Sequence, residues 1–139
     1  MRKLVLDTNV VLDLFVFDDP RSQPLKARLL AADVQWLATR AMREELERVL
    51  AYSNVAARLV ALRADAPQVL AWFDRHAQLV DAPPPAPVNC TDGDDQMFID
   101  LAVHHQCVLL SKDLAVLALK QRLAPWQVDV DSVLPPGDS

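Results

Sequence analysis

Short runs typical of β-strands alternate along this chain with longer stretches of helical spacing, and this alternation limits the folds open to it. Residues 3–6, 34–37 and 107–110 have the length and apolar character of buried strands, and 128–130 has that of an edge strand. Strands separated by helices pair in parallel, because each crossover returns over a face of the sheet. We therefore predict an α/β protein, a three-layer α/β/α sandwich with a central parallel sheet of four or five strands.

The segments between the strands supply the predicted helices. The first of them begins after Asp7, with Thr8 or Asn9 near its N-cap. Pro67 is expected to divide the longest segment into two helices, and the prolines of 81–88 predict an extended connector. The other helical segments are 25–32, 40–52, 55–76, 95–105 and a stretch from 114 to about 121.

Length and composition place the chain among single-domain globular proteins. Its 139 residues, 52% hydrophobic and 24% charged, fit one core, so we predict a single domain over 1–134 and a frayed tail over 135–139. Two cysteines are too few for a disulfide scaffold, which favours the reducing cytoplasm. Asp7 and Asp13 interrupt the apolar run near the start, so neither a signal peptide nor a membrane-spanning helix is expected there.

Aspartates follow the predicted strands at the edge where parallel sheets bind ligands. Asp7 comes directly after the first strand, Asp113 follows the third, and Asp95 begins a helix. Two carboxylates 4 Å apart repel by about 4 kcal/mol at an effective dielectric constant of about 20, so a cation must compensate. Oxygen ligands suit Mg²⁺ or Mn²⁺. Helix capping is the alternative explanation for Asp95 and Asp113, whereas a buried Asp7 needs a partner or a metal.

Glu45 is a further candidate on the predicted helix 40–52. It lies at the boundary of the apolar stripe formed by Met42, Leu46 and Val49. Spacing alone favours a solvated helix face, because Glu44 and Glu47 flank it.

Four segments resemble, in order, the acidic motifs of PIN domains. The resemblance implies an α/β/α sandwich in which Asp7, Glu45, Asp95 and Asp113 bind Mg²⁺ or Mn²⁺ and cleave RNA. Asp92 and Asp94 are alternatives or supplements to Asp95. The segments are Leu4-Val5-Leu6-Asp7-Thr8-Asn9-Val10, Glu45-Leu46-Glu47-Arg48-Val49-Leu50, Asp92-Gly93-Asp94-Asp95-Gln96-Met97-Phe98 and Val108-Leu109-Leu110-Ser111-Lys112-Asp113-Leu114.

Within that family the chain is most similar to the VapC-like ribonucleases, the toxins of type II toxin–antitoxin pairs. The similarity implies a metal-dependent endoribonuclease, a cognate antitoxin that holds it in check, and a homodimer for which the helices of 21–52 are candidate surface. One or two metal ions are both compatible with the acids present.

Three polar residues are assigned supporting roles on this hypothesis. Asn9 and Ser111 would orient the carboxylates or water, and Lys112 would meet a substrate phosphate or remain a solvated lysine. Two other functions stay open. The chain could be a non-catalytic PIN-like module that binds an antitoxin or RNA. An aspartate-based phosphohydrolase is disfavoured, because that chemistry wants a second aspartate where Asn9 stands.

Overall fold

Five parallel strands form a single sheet in the computed structural model, which describes residues 1–135. The strands are β1 (Arg2–Leu6), β2 (Val34–Ala38), β3 (Ala77–Leu79), β4 (Val108–Leu110) and β5 (Asp129–Asp131). Their order across the sheet is β3-β2-β1-β4-β5. The central strand β1 has Leu4, Val5 and Leu6 buried in succession. Successive side chains of a strand point to opposite faces, so both faces of β1 are covered, as the predicted α/β/α sandwich requires.

Helices supply the two outer layers. Met42, Leu46 and Leu50 form the buried stripe of α3, and Ile99 is fully buried on α6, which contacts β1 and β4. The helices are α1 (Thr8–Phe15), α2 (Gln23–Leu30), α3 (Arg40–Leu50), α4 (Ser53–Ala61), α5 (Ala66–His76), α6 (Gln96–His105), α7 (Leu114–Leu117) and α8 (Lys120–Leu123), with 3-10 turns at Pro20–Ser22, Gly93–Asp95 and Ala124–Trp126.

The chain adds strands first to one side of β1 and then to the other side. Successive crossovers place β2 and β3 on one side of β1, whereas β4 and β5 lie on the other. Leu6 is in register with Leu110, and the Asp7 amide donates to the Leu110 carbonyl at 3.0 Å. The residues that follow β1 and β4 therefore emerge side by side. In open parallel sheets this crevice is where ligands bind.

The predicted strands are confirmed, but β3 escaped the sequence analysis. Its three residues, Ala77–Leu79, follow α5 directly and contain no apolar run. The segment predicted as one helix from 114 forms two short helices, because the chain turns at Leu119. The segment 55–76 is divided as expected, although the break comes before Pro67. Arg63 adopts a φ of 56°, and Pro67 lies in the first turn of α5, where it has no amide hydrogen to leave unpaired.

Most of the predicted tail, 135–139, lies outside the described residues. Pro135, the last described residue, has a carbonyl that accepts a hydrogen bond from Arg2 Nη1 at 2.9 Å. Within residues 1–135, every helix is too short or too polar to cross a membrane.

The cap of α5 provides a test of the local structure. The Asp65 carboxylate accepts from the Gln68 amide at 2.9 Å, and the Gln68 side chain accepts from the Asp65 amide at 2.9 Å. Asp65→Ala removes one half of this reciprocal cap and is expected to lower the free energy of unfolding by about 1 kcal/mol. Urea denaturation measures it. Asp81→Ala, in the exposed connector, is the control and should change stability by less than about 0.5 kcal/mol.

Candidate active site

Asp7 occupies the position where β1 ends and α1 begins. It is 3% exposed, and its Oδ1 caps α1 by accepting from the Val10 amide at 3.0 Å. The N-cap is therefore Asp7 itself, one residue before the Thr8 or Asn9 expected from the sequence. Burial raises the pKa of Asp7, and hydrogen bonds from Ser111 and Val10 oppose that rise by stabilising the carboxylate.

Ser111 joins the ends of β1 and β4. Its hydroxyl is fully buried and donates to Asp7 Oδ2, while its oxygen accepts from the Asp113 amide at 3.0 Å. The serine thus orients Asp7 and fixes the backbone of Asp113 at once. Asp7 and Asp113 lie on the same edge of the sheet, as their positions after the strands predicted.

Three carboxylates converge next to this serine. Asp92, Asp95 and Asp113 each offer an oxygen within 4.8 Å of the others. Asp113 uses its Oδ1 to cap α7, accepting from the Ala115 amide at 2.8 Å. From the sequence, helix capping and a place in the acidic site are alternative roles for Asp113. In the structure Asp113 caps α7 and also belongs to the cluster.

The burial and crowding of these carboxylates change the pKa of Asp95. Burial first, and then the carboxyl group of Asp113, raise the pKa of Asp95 to about 7. Its Oδ2 is buried and has no hydrogen-bond partner in the part of the chain that the structure describes. Asp95 precedes α6 without capping it through its side chain. The helix-cap explanation therefore does not account for its carboxylate.

The donor set fits a hard divalent cation. Three carboxylates supply oxygen ligands and share a surplus of negative charge, and one buried oxygen has its lone pairs unused. A dication would satisfy that oxygen and relieve the repulsion together. Mg²⁺ and Mn²⁺ both suit such a site.

Glu45 turns towards these acids from α3. It is half-buried and accepts a hydrogen bond from the hydroxyl of Thr8, whereas Glu44 and Glu47 are exposed. The solvated-face explanation therefore applies to its neighbours. Thr8 belongs to the first turn of α1, so this hydrogen bond links the second acidic motif to the first.

A cavity of about 300 Å³ opens beside the acids. Asp7, Glu45 and Asp95 contribute to its lining, and Asp95 connects it to the Asp113 side of the cluster. Asn9 and Asn54 add amide groups. Three of the four acids expected from the sequence therefore line one hollow, and the fourth, Asp113, adjoins it through its cluster with Asp95.

The structure distinguishes the acids that the sequence left as alternatives. Asp92 belongs to the cluster with Asp95, whereas Asp94 is exposed and outside it. Asp92 accepts from the Asp94 amide at 3.0 Å, which closes the 3-10 turn Gly93–Asp95. Asn9 lines the cavity.

Lys112 forms an ion pair that the sequence analysis did not foresee. Its Nζ lies 2.6 Å from Asp13 Oδ2, and Asp13 is buried among apolar residues of α1. The pair ties the loop that carries Asp113 to the helix that follows Asp7. The sequence already indicated that Asp13 has a partner, because a carboxylate among consecutive apolar helix positions requires one. Contact between Lys112 and a substrate phosphate stays a prediction.

The sequence matches the PIN domain family over residues 3–115, a span that contains Asp7, Glu45, Asp95 and Asp113. The chain therefore belongs to the PIN domain family. PIN domains are generally nucleases, typically use a divalent metal and bind RNA. No curated protein matches the chain.

The raised pKa of Asp95 predicts how stability depends on pH when divalent ions are chelated. The folded protein binds this proton more tightly than the unfolded chain. The resulting stabilisation is complete below the ordinary value of 3.8 and is lost as the pH rises through about 7. Thermal melts should therefore show a loss of stability between about pH 4 and about pH 7 that is smaller in Asp95→Asn. Equal slopes in the variant and the unmodified protein would contradict the assignment, and Asp81→Asn is the control.

The ion pair between Asp13 and Lys112 predicts energetic coupling. In a double-mutant cycle with Asp13→Asn and Lys112→Met, unfolding free energies should give a coupling of about 0.5–3 kcal/mol, because either single change strands a buried charge or polar group. The exposed pair of Lys120 and Asp129, 3.3 Å apart, is the matched control and should couple by less than about 1 kcal/mol. Indistinguishable couplings would mean that Lys112 does not restrain the loop.

Proposed function

We propose that this protein is a metal-dependent endoribonuclease that hydrolyses RNA phosphodiester bonds with Mg²⁺ or Mn²⁺. The observation that carries the proposal is the unpartnered, buried oxygen of Asp95 within a cluster of three carboxylates, at the crevice of a PIN domain. Such a cluster is unfavourable in the free protein, and a bound cation would relieve the repulsion and satisfy the unpartnered oxygen.

In this proposal Asp7, Glu45, Asp95 and Asp113 hold the metal, directly or through water. Asp92 supplements them, since its carboxylate faces Asp95 and Asp113. Asp94 is the weaker candidate, because it lies outside the cluster. When bound, the ion would polarise a phosphodiester oxygen and lower the pKa of a water for in-line attack.

The supporting residues fix the acids before substrate arrives. Ser111 holds Asp7 by donating to its Oδ2, and Thr8 holds Glu45 in the same way. Oriented carboxylates lose less conformational freedom when a cation or substrate binds. Asn9, on the lining of the cavity, would orient the carboxylates or water. Lys112 offsets part of the negative charge, because it lowers the pKa of Asp7 against the effect of burial.

The toxin role, the antitoxin and the homodimer belong to the same proposal. They derive from the similarity of the motifs to VapC-like ribonucleases. An antitoxin would hold this enzyme by laying a cationic side chain among the acids, where it would replace the charge of the metal.

Cleavage assays with a matched pair of glutamates test the proposal. Glu45→Gln and Asp7→Asn should each reduce Mg²⁺- or Mn²⁺-dependent cleavage of RNA by more than about 100-fold, because even the outer partners of metal ligands contribute about 10–100-fold. Glu44→Gln, on the exposed side of α3, should cleave at the unmodified rate. EDTA should abolish cleavage, and excess Mg²⁺ should restore it.

Three outcomes would overturn the assignment. Full cleavage by Asp7→Asn would remove Asp7 from the site. RNA binding without cleavage at any metal concentration would favour the non-catalytic module. Hydrolysis of phosphate monoesters in place of RNA would favour the aspartate-based phosphohydrolase.

A further inference from the structure

Residues 81–91 approach the acidic cluster without backbone support from the sheet. The last backbone bond before them joins the Val80 amide to the Ala38 carbonyl, and within the described chain no backbone group of 81–91 bonds to another backbone group. Four prolines in this proline-rich connector carry no amide hydrogen, so they restrict the backbone torsions but cannot donate a hydrogen bond. Side chains must therefore fix the segment that delivers Asp92 and Asp95.

The side chain of Gln96 makes the central attachment. Gln96 begins α6 and follows Asp95 directly. Its Oε1 accepts from the Cys90 amide at 2.7 Å, while its Nε2 donates to the Val88 carbonyl at 2.9 Å and to Asp100 Oδ1 at 2.8 Å. A carboxamide can make this set of hydrogen bonds because it carries an acceptor and two donors, whereas a carboxylate only accepts and an ammonium group only donates.

Asp100 extends the attachment by one turn of α6. Its Oδ1 also accepts from the Ala86 amide at 2.9 Å. Gln96 and Asp100 lie four positions apart, so their side chains share one side of the helix. The helix itself is held in place, because Ile99 and Leu101 are fully buried and α6 contacts β1 and β4. The connector is therefore bonded to a fixed element of the fold.

We propose that Gln96 is a positioning residue for the ion site, because its carboxamide determines where Asp92 and Asp95 meet Asp113. The inference rests on the proposed metal-dependent function and deepens it, since Gln96 acts through the carboxylates. The three carboxylates offer oxygens within 4.8 Å of one another and repel, so an unattached connector would relax away from Asp113. Attachment before the ion arrives reduces the conformational freedom that is lost on binding. Removal of the carboxamide should therefore weaken ion binding while every ligand remains.

Titration with Mn²⁺ alone, at one fixed pH and without RNA, tests the proposal. The electron paramagnetic resonance signal of the free ion measures the Kd. Gln96→Met keeps an unbranched side chain but removes the hydrogen bonds, so it should raise the Kd by about 10–100-fold, the range for residues that orient metal ligands. Gln121→Met, at an exposed glutamine of α8, is the matched control and should leave the Kd unchanged. An unchanged Kd in Gln96→Met would overturn the proposal.

Two substitutions at Asp100 separate its hydrogen bonds from its charge. Asp100→Asn keeps an oxygen that can accept from Ala86 and Gln96, whereas Asp100→Ala removes it. Asp100→Ala should therefore weaken Mn²⁺ binding, and Asp100→Asn should bind the ion more tightly than Asp100→Ala. Equal affinities in the two variants would overturn the hydrogen-bonded attachment on which the proposal rests.

A general loss of stability is distinguished by Asp65→Ala. This variant removes a hydrogen bond that caps α5 and leaves every contact of the connector in place. Urea denaturation measures how much each variant is destabilised. If Asp65→Ala raises the Kd for Mn²⁺ as much as an equally destabilised Gln96→Met, the role of Gln96 is merely structural and the proposal is overturned.

The failure of the positioning role and the failure of the nuclease function give different results. A protein that binds Mn²⁺ but cleaves no RNA would lack the nuclease function, and weaker binding in Gln96→Met would still support the positioning role. Cleavage and Mn²⁺ binding that both survive unchanged in Gln96→Met would overturn the positioning role alone. A protein that binds no Mn²⁺ would overturn both.

Discussion

The hydroxyl group of Ser111 is the contact on which the rest of the site depends. It donates to Asp7 Oδ2 and accepts from the Asp113 amide, so one buried side chain sets the relation between the ends of two neighbouring strands. The register of β1 with β4 brings these ends together, but register alone leaves the side chains free to rotate. Because the serine is fully buried, its hydrogen bonds do not compete with water.

Negative charge accumulates at this edge because two strands, the helix α3 and a connector each bring acids to the same place. The protein tolerates it by distributing the compensation. Asp7 is stabilised by hydrogen bonds, Asp13 by Lys112, and Asp95 by retaining its proton to higher pH. Of these three aspartates, only Asp95 has a buried oxygen without a hydrogen-bond partner among the described residues. The site can therefore fold without a cation, and Asp95 keeps an oxygen that a cation could bind.

The sequence was sufficient for the sheet class, because strands alternate with helices, and for the edge at which the acids meet, because aspartates follow the buried strands. It was insufficient for β3, whose three residues carry too little pattern to distinguish a strand from the end of α5. Asp13 was visible only as an interruption of an apolar run, since its partner Lys112 lies 99 positions away and only the fold brings them together. The orientation of Glu45 could be predicted only in part from the sequence. Helical spacing placed it on a boundary, and the hydroxyl of Thr8 determines that it faces inward.

The acids reach the cluster on two different kinds of backbone. Asp113 stands on the loop after β4, whereas Asp92 and Asp95 arrive at the end of a proline-rich connector that belongs to no strand. That connector is attached through side chains. Gln96 accepts from the Cys90 amide at 2.7 Å and donates to the Val88 carbonyl at 2.9 Å, and Asp100 accepts from the Ala86 amide at 2.9 Å. A cation bound by Asp113 together with Asp92 and Asp95 would link the loop after β4 to this connector. Binding of the ion and ordering of the connector would then be coupled, so each would favour the other by the same free energy. Amide hydrogen exchange in 86–95 would therefore slow when the ion binds.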